Sequence, residues 1–395
     1  MKKKILFVNG HLNVGGIEKS LTDLLNHLDY HKYEVDLLLL EEKGDYLPQI
    51  PKAVNIIFVD TTKAYGPLLK SIFSNLLMFR WTIVLYRIIL SFANKYGKQY
   101  LWILRGILSL KSTYDVAIAY RTGVCADIVA YTAKAHKKIV WWHHGEINIS
   151  SSDINAYNRT WQYFDSVVTV SSTCKKNLEH TFNYPSNKIV VIPNMIDRAQ
   201  ILRKAGQITP YKDKTHTKII SVGRLCTEKH FENIVFVAKE LLKGGIKDFH
   251  WYIIGDGDLR ERLEAIVNEQ NVKNYVTLLG KKDNPYPWMK YADIYVHPSY
   301  VESQGLTILE AMILNIPCVI CRSNGPAEYI IDGVNAIMTE PNPICLYKGV
   351  LKMISYKDKS SFTREAQKMV KDKFSPQNVI KLFNNQIGNH PKLAY

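Results

Sequence analysis

Short apolar runs alternate with amphipathic stretches along most of the chain, and this alternation predicts parallel β-sheets with connecting helices. In the first half, polar turns separate the apolar runs, and several of the intervening segments have a helical period. The predicted strands there are 5–8, 35–40, 56–59, 116–119, 139–142, 167–170 and 189–192, and the first predicted helix is 17–28. This order is typical of a doubly wound α/β domain.

The alternation stops near a Pro-Asn pair, Pro193 and Asn194, and restarts after a polar stretch at 197–216, which predicts a linker. The later predicted strands are 219–222, 251–254, 276–278, 294–296 and 317–320, and the predicted helices are 231–243, 259–268 and 375–388. The sequence therefore predicts two Rossmann-like doubly wound domains, 1–196 and 217–372, followed by a helical segment, 373–395, that could cross back to the first domain. Ligands bind beyond the carboxyl ends of such strands, so we expect a central cleft between the domains.

Composition narrows the class of protein without identifying its ligand. A chain of 395 residues is too long for one ordinary core. Its 51 Lys and Arg against 36 Asp and Glu give a formal charge of +15, which favours an anionic partner. No signal peptide is expected, because the first apolar run is short. The six cysteines lack the spacing of a disulfide framework, and the pair Cys318 and Cys321 lies in a predicted buried strand.

A segment of unusual composition, 61–114, separates two predicted strands of the first domain. It contains no Asp or Glu, it is rich in Leu, Ile, Phe, Trp and Tyr, and no apolar run reaches the roughly 18 residues of a membrane-spanning helix. Three basic pairs are seven residues apart and so share a helical face: Lys63 and Lys70, Arg80 and Arg87, Lys98 and Arg105. We expect a basic amphipathic insert that lies in an anionic membrane interface; a helical hairpin with a solvated basic face is the alternative.

The strongest group of chemical side chains lies at 297–312. Glu302 and Glu310 are eight positions apart, and Gly305 lies between them, just before a predicted helix start near Leu306. A helix N-terminus presents unpaired N–H groups to an anion, and glycine permits close approach of the backbone. Glu310 would sit one turn inside the helix, where it could accept hydrogen bonds from ribose hydroxyls. The alternative is a surface carboxylate at 302 and a helix-dipole partner at 310.

Two cations, Arg224 and Lys229, lie between a predicted strand and a predicted helix. Arginine can bind two oxygens of a diphosphate at once and lysine acts as a point charge, so this loop could hold a diphosphate. A solvated loop with two unrelated cations is the alternative.

Two motifs that contain glycine are weaker evidence for a binding site than the residues above. Gly15 and Gly16 lie between the first strand and the first helix, but GxGxxG is absent, so a tight loop beneath a phosphate or an acceptor sugar is favoured over a nicotinamide site. The Asp256-Gly257-Asp258 sequence imitates a DxD metal motif, but its place after a strand is typical of a turn. We expect no metal there.

Taken together, these motifs resemble family 4 of the retaining glycosyltransferases, which share the two-domain GT-B fold. The matches are GGIEKSL at 15–21, the strand-end histidine of WWHHGE, the GRL…EK loop, and the Glu-x7-Glu segment. They extend from about residue 5 to 340 in the family's order. The chain departs from the family pattern at His230, where glycine is commoner, and at Ser303-Gln304, where an aromatic residue is frequent.

The resemblance implies a role for each matching residue. Arg224 and Lys229 would bind the donor diphosphate, Glu302 the transferred sugar and Glu310 the ribose. His144 would be the active-site histidine, with His143 as a rival. The other donor-binding residues would be Gly15, Gly16, Gly305, Leu306 and Thr307. The family's reaction retains anomeric configuration by departure and attack on one face, and it needs no divalent metal or other cofactor.

The expected activity is transfer of a hexose or N-acetylhexosamine from a nucleotide diphosphate sugar, UDP favoured over GDP. The membrane interpretation of 61–114 suggests a lipid-linked or glycolipid acceptor in bacterial capsule, exopolysaccharide or cell-wall polymer synthesis. It also places the protein in the cytoplasm, peripherally attached to the inner face of the plasma membrane. A nucleotide-sugar epimerase on the same fold and a catalytically decayed membrane scaffold are the alternatives. No nucleic-acid-binding module is found in the sequence.

Overall fold

A computed structural model describes residues 2–42, 44–59, 68–108, 110, 112–145, 149–206, 208–211 and 216–388, apart from the side chains of 68 and 70. Two compact units are present. The first contains residues 1–195 and 379–395, and the second contains residues 196–378.

The first unit is built on a parallel sheet of seven strands in the order β3-β2-β1-β4-β5-β6-β7. The strands are β1 Lys3–Asn9, β2 Tyr33–Leu39, β3 Val54–Phe58, β4 Tyr114–Ala119, β5 Ala135–Trp142, β6 Ser166–Thr169 and β7 Ile189–Val191. Every predicted strand of this half is present. Alternate residues of β1 enter different cores, with Leu6 in one and Phe7 in the other, because successive side chains of a strand point to opposite faces.

The second unit is built on a parallel sheet of six strands in the order β10-β9-β8-β11-β12-β13. The strands are β8 Thr217–Val222, β9 Phe249–Ile254, β10 Val276–Gly280, β11 Ile294–His297, β12 Cys318–Cys321 and β13 Ile337–Thr339. The three-residue edge strand β13 was not predicted, because its apolar run is too short to stand out. The predicted α/β fold class, with two doubly wound Rossmann-like sheets, is confirmed.

Helices cover both faces of each sheet. In the first unit they are α1 Gly16–Asn26, α2 Leu68–Leu77, α3 Trp81–Tyr96, α4 Val124–Tyr131, α5 Ser151–Trp161 and α6 Ser172–Thr181. Those that follow in the chain are α7 Arg198–Ala205, α8 Glu232–Lys243, α9 Arg260–Glu269, α10 Tyr286–Lys290, α11 Leu306–Ile313, α12 Pro343–Ser355, α13 Ser360–Phe374 and α14 Pro376–Gly388.

The polar stretch 197–216, predicted as a linker, begins instead with helix α7. The Asp197 side chain caps it by accepting a hydrogen bond from the Gln200 N–H, and Ile201 and Ala205 are fully buried in the second unit. Two apolar residues one turn apart are enough to seat a short helix, but they are too few to give a periodic signal.

The C-terminal helix α14 packs on the first unit. Val379, Phe383 and Ile387 are buried in the core beside β1 and β5, at the spacing of one helical face. Phe383 stacks on Phe7, with ring centroids 6.2 Å apart. The Gln386 amide also donates to Ser166 Oγ at 2.6 Å.

Between β3 and β4, the described residues from 68 onward form α2, α3 and a 3₁₀ segment, Lys98–Arg105. One side of this stretch is buried through Tyr86, Ile89, Ala93, Leu101 and Leu104 in the core below β4. The other side is apolar but exposed. Within the described residues, no helix is long and apolar enough to cross a membrane.

Candidate active site

The order of the second sheet reverses between β8 and β11, which are neighbours but not consecutive in the chain. Connections from these two strands run to opposite sides of the sheet, and the loops at their carboxyl ends therefore leave a crevice in which ligands of such folds bind. Arg224 and Lys229 follow β8, and Glu302 follows β11. The fold thus brings together residues about 75 positions apart in the chain.

The loop after β8 is held by the turn after β9. Leu225 N–H donates to Asp256 O at 3.0 Å, so Asp256 and its two glycines support the neighbouring loop. A Cβ on Gly255 would lie 1.8 Å from Gly223 O, which makes glycine obligatory at that position. Arg224 is exposed, and its side chain forms no ion pair or hydrogen bond within the described part of the chain. Its guanidinium can therefore bind an anion without first breaking an internal contact.

Lys229, Glu302 and His297 form one cluster. The Lys229 ammonium donates to Glu302 Oε1, and His297 Nε2 lies 2.7 Å from the same oxygen. His297 is the last residue of β11 and is buried, whereas Lys229 and Glu302 keep small exposed fractions. The predicted diphosphate ligand Lys229 and the predicted sugar ligand Glu302 are thus ion-paired in this structure.

The cluster keeps Glu302 ionised. Burial by itself would raise the pKa of Glu302, but the charge of Lys229 and the hydrogen bonds from His297 and Lys229 more than offset it and lower the pKa to about 2. The carboxylate is therefore charged at every physiological pH and can only accept hydrogen bonds.

Helix α11 begins as predicted, directly after Gly305. Gly305 has φ +73°, in the left-handed region that favours glycine, and a Cβ there would lie 2.7 Å from Ile308 Cδ1. Thr307 Oγ1, in the first turn, accepts a hydrogen bond from the Tyr295 hydroxyl at 2.8 Å. The first-turn amides of Leu306 and Thr307 lie at the helix end that attracts anions.

Glu310 lies one turn into α11 and is buried. The Tyr286 hydroxyl donates to Glu310 Oε1 at 3.1 Å, which joins α10 to α11. A buried carboxylate with a hydroxyl donor is held in a fixed orientation, as recognition of a ribose would require.

His230, where the family has glycine more often, adopts a left-handed conformation with φ +48°. Its ring stacks on Tyr300 with centroids 3.9 Å apart, and Nδ1 lies 3.1 Å from Glu232 Oε1. The conformation that usually selects glycine is therefore kept here by a non-glycine residue, and stacking stabilises it.

The first unit has its own sheet reversal, between β1 and β4. Gly15 and Gly16 open α1 there, and the buried Glu18 carboxylate folds back over them, so a Cβ on Gly15 would lie 2.2 Å from Glu18 Oε2. Arg121, after β4, donates to Glu18 Oε1 at 2.8 Å, and its other terminal nitrogen lies 3.2 Å from His11 Nε2. Glu18 lies within the GGIEKSL match, but no motif in the sequence links it to His11 or Arg121.

The two histidines after β5 differ in environment. His143 is buried, and burial, with smaller effects from His144 and Arg121, lowers its pKa to about 3. Its Nε2 lies 3.1 Å from Tyr120 O, and because a carbonyl only accepts, Nε2 carries the proton and Nδ1 keeps a lone pair. His144, the predicted active-site histidine, is exposed.

The predicted basic face of the insert is not assembled as expected. Lys98 pairs with Asp127 at 2.6 Å, and Arg105 Nε donates to Leu110 O at 2.7 Å. These two residues lie in a 3₁₀ segment, whose three residues per turn do not align positions seven apart. Arg80 and Arg87 are partly buried. Lys63 and the side chain of Lys70 lie outside the described residues.

In the described part of the chain, no group of three or more His, Cys, Asp or Glu side chains is arranged to hold a metal ion. Asp256 Oδ1 accepts from the Gly257 N–H at 2.9 Å, so the Asp-Gly-Asp sequence forms a turn. Two further contacts of Glu302 carry no signal in the sequence: His297, the first residue of the 297–312 segment, reaches its carboxylate, and the Gly325 N–H donates to its carbonyl oxygen at 3.0 Å.

Two family models match the chain: the glycosyltransferase family 4 model over residues 14–200 and the group 1 glycosyltransferase model over residues 208–369. An uncharacterized glycosyltransferase of Methanocaldococcus jannaschii is 30% identical over 231 residues, which are 54% of this chain and 57% of that protein. The N-acetylgalactosamine-N,N'-diacetylbacillosaminyl-diphospho-undecaprenol 4-alpha-N-acetylgalactosaminyltransferase of Campylobacter jejuni is 28% identical over 210 residues, 50% of this chain and 55% of that protein. The chain spans about half the length of the curated relatives it matches.

The fold is similar to that of Anabaena HepE in complex with UDP and glucose, with a TM-score of 0.73 and 16% identity over 98% of this chain and 99% of that one. At this identity the likeness concerns the fold alone. The two family models together leave few residues of either unit unmatched. The chain belongs to the group 1, family 4 glycosyltransferases of GT-B fold.

Proposed function

We propose that this protein is a retaining glycosyltransferase that moves a hexose or N-acetylhexosamine from a UDP-sugar to a hydroxyl group of a lipid-linked saccharide or glycolipid. The observation that carries the proposal lies at the reversal of the second sheet, where hydrogen bonds connect the Lys229–Glu302 pair to the start of α11 and the exposed Arg224 lies on the same loop as Lys229. Cations and helix-end amides suit a diphosphate, and a fixed carboxylate suits sugar hydroxyls.

In this reaction the bond between the anomeric carbon and the diphosphate oxygen breaks, and a bond from the same carbon to the acceptor oxygen forms on the same face. The acceptor proton passes to the departing diphosphate oxygen. Arg224, Lys229 and the amides of Leu306 and Thr307 stabilise the charge that develops on that diphosphate. Lys229 exchanges Glu302 for phosphate, which frees the carboxylate for the sugar. No divalent metal is required, because the protein supplies the compensating charge.

The choice of donor and stereochemistry draws on the similar proteins. HepE was crystallised with UDP and glucose, and the Campylobacter jejuni relative is named for an α-linked product on a diphospho-undecaprenol acceptor. An α-product from an α-linked nucleotide sugar retains the anomeric configuration. Polysaccharide assembly in a bacterial envelope, at the inner face of the plasma membrane, is the setting that we propose for such a transfer.

We expect one UDP-sugar from a panel of nucleotide sugars to raise the melting temperature, and a chelator to leave the shift unchanged. A ligand at about 100 times its dissociation constant adds roughly 2.7 kcal/mol to the free energy of unfolding. Arg224→Ala and Glu310→Ala should each remove most of the shift, because they delete a diphosphate and a ribose contact. The control is Arg322→Ala, since Arg322 pairs with the exposed Glu340. An epimerase would instead convert the donor without an acceptor, and a decayed scaffold would show no shift.

The membrane part of the proposal rests on exposed apolar side chains rather than on the basic pairs. Of the 21 large hydrophobic residues that are exposed in the described chain, 13 lie between 69 and 103. We call these 13 the apolar face: Leu69, Phe73, Leu77, Met78, Phe79, Trp81, Leu85, Ile88, Phe92, Tyr96, Tyr100, Trp102 and Ile103. A monomer in water rarely exposes such a patch, and Trp and Tyr favour the bilayer interface.

Replacing Phe79, Trp81 and Trp102 by serine should lower binding to sedimented phosphatidylglycerol–phosphatidylcholine vesicles at least about tenfold, because each aromatic ring that leaves the lipid loses over 1 kcal/mol of transfer free energy. Ile331→Ser with Ile344→Ser is the matched control, since both residues are exposed in the second unit. Equal binding by the triple variant would exclude this face. A dimer in gel filtration that the triple variant abolishes would assign the face to a second copy of the chain.

A further inference from the structure

Strand β11 directs two polar side chains toward the start of α11. Tyr295 and His297 are alternate residues and so lie on one face of the sheet, in the direction of the core that contains Ile308 and Leu309. Ile294 and Val296 enter the opposite core. Both polar side chains are buried, which is costly unless their polar atoms are hydrogen-bonded.

The bonds of these two residues form a continuous chain across the loop. His297 Nε2 lies 2.7 Å from Glu302 Oε1, and His297 Nδ1 lies 3.0 Å from the Tyr295 hydroxyl. That hydroxyl donates to Thr307 Oγ1 at 2.8 Å. The His297 ring therefore connects the predicted sugar ligand Glu302, which precedes Gly305, to Thr307, which lies in the first turn of the helix after Gly305.

The ionised Glu302 carboxylate only accepts hydrogen bonds, so Nε2 must carry a proton. Both donors, from Lys229 and from His297, reach the same oxygen, Oε1. Oε2 is then the oxygen that can turn to a ligand. When Lys229 moves to a phosphate, His297 is the donor that stays with the carboxylate.

We propose that His297 is a positioning residue for Glu302: its Nε2–H holds Oε1 so that Oε2 accepts a hydrogen bond from a hydroxyl of the donor sugar, while its Nδ1 bonds to the Tyr295 hydroxyl, which in turn donates to Thr307. This role rests on the proposed function. In this proposal, Lys229 and His297 have different roles in the cluster. Lys229 is exchanged between carboxylate and diphosphate, whereas His297 keeps the carboxylate in place during that exchange.

Two amide substitutions separate the two nitrogen atoms of the ring. The side-chain nitrogen of glutamine lies as many bonds from Cα as Nε2 of histidine, and that of asparagine as many as Nδ1. His297→Gln thus keeps a donor for Glu302, and His297→Asn keeps only a partner for Tyr295. Both variants are polar and smaller than histidine, so they disturb the core in similar ways.

The experiment measures kcat, KM and the ratio of the dissociation constants for UDP and the UDP-sugar, with melting temperatures for each variant. We expect His297→Asn to lower kcat about 10- to 100-fold, as for a misplaced reacting group, and to lose most of the preference for UDP-sugar over UDP. His297→Gln should keep most of the wild-type kcat and most of the preference for UDP-sugar over UDP. The dissociation constant for UDP alone should change little in either variant. Tyr295→Phe should have a smaller effect than His297→Asn, because Nε2–H remains.

If His297→Gln and His297→Asn lowered kcat equally, and in proportion to their decrease in melting temperature, the role of His297 would be merely structural and the proposal would be overturned. Wild-type activity in both would overturn it as well. If the wild-type protein binds no nucleotide sugar, the proposed function itself fails, and the role of His297 in sugar binding fails with it. Normal wild-type binding with indistinguishable variants counts against His297 alone.

Discussion

Replacing Glu302 by glutamine is expected to lower kcat at least about a hundredfold while UDP alone still binds. Glutamine has nearly the shape of glutamate but offers a neutral amide, so the sugar hydroxyl loses a charged acceptor, and charge-assisted hydrogen bonds are about twice as strong as neutral ones. The loss should fall on kcat and on nucleotide-sugar binding, because the diphosphate contacts of Arg224 and Lys229 remain. Steady-state kinetics and calorimetric titration with UDP and the UDP-sugar test this.

The same substitution has a defined pH signature. The pKa of Glu302 is lowered from 4.5 to about 2 in the folded chain, so its ion pair stabilises the fold fully above pH 4.5 and the stabilisation is lost as the pH falls toward 2. Wild type and Glu302→Gln should therefore differ most in free energy of unfolding at neutral pH and converge in acid. Between pH 5 and 9 the carboxylate does not titrate, so the substitution should not shift the pH optimum.

Glu340→Gln is the control for this experiment, because Glu340 is an exposed carboxylate of the same unit that pairs with Arg322. Such surface pairs contribute at most about 1 kcal/mol. A Glu302→Gln enzyme with wild-type kcat, or one whose pH optimum moves by a full unit, would contradict the assigned role of this carboxylate.

Replacing Gly325 by alanine is the second change with a large expected effect. Gly325 N–H donates to Glu302 O at 3.0 Å, and a Cβ at this position would lie 1.9 Å from Ser303 O. Because the clash would be with backbone atoms, no change of side-chain rotamer can relieve it. The loop that carries Glu302 must shift, and we expect a loss of about 1–3 kcal/mol in stability and of at least about a hundredfold in kcat.

Gly244→Ala is the matched control for Gly325→Ala. Gly244 lies in the same unit with φ −73°, and its Cβ would approach no atom closer than 3.4 Å. Thermal unfolding and kcat of the two variants should therefore separate clearly. If Gly325→Ala retained both the melting temperature and kcat of the wild type, the loop would be less constrained than its contacts indicate.

Much of the fold follows from local pattern. The strands of both sheets other than β13 are apolar runs, and buried parallel strands contain few polar residues that would interrupt such a run. The start of α11 follows from Gly305 ahead of an apolar helical run, and the left-handed φ of +73° that Gly305 adopts is one that favours glycine. Helix α7 was missed because only two of its apolar residues are buried.

The apolar face shows where local pattern is insufficient. Composition and spacing indicated helices with basic and apolar sides, and helices α2 and α3 are present. Whether the basic or the apolar side of these helices faces solvent depends on which side chains and carbonyl groups of the rest of the unit lie next to them. Asp127 and the Leu110 carbonyl bind Lys98 and Arg105, so these two basic side chains turn inward, whereas most aromatic side chains of the segment stay exposed.

For the site, the sequence by itself determined which residues stand at the carboxyl ends of strands, because parallel strands all end at the same edge of the sheet. It thereby placed Arg224, Lys229 and Glu302 in one region. Only the tertiary structure decided that Lys229 is paired with Glu302, that His297 supports the carboxylate, and that His143 is the buried histidine of its pair. The first two contacts join residues of different strands and loops and the third selects between adjacent residues, and such choices depend on packing rather than on periodicity.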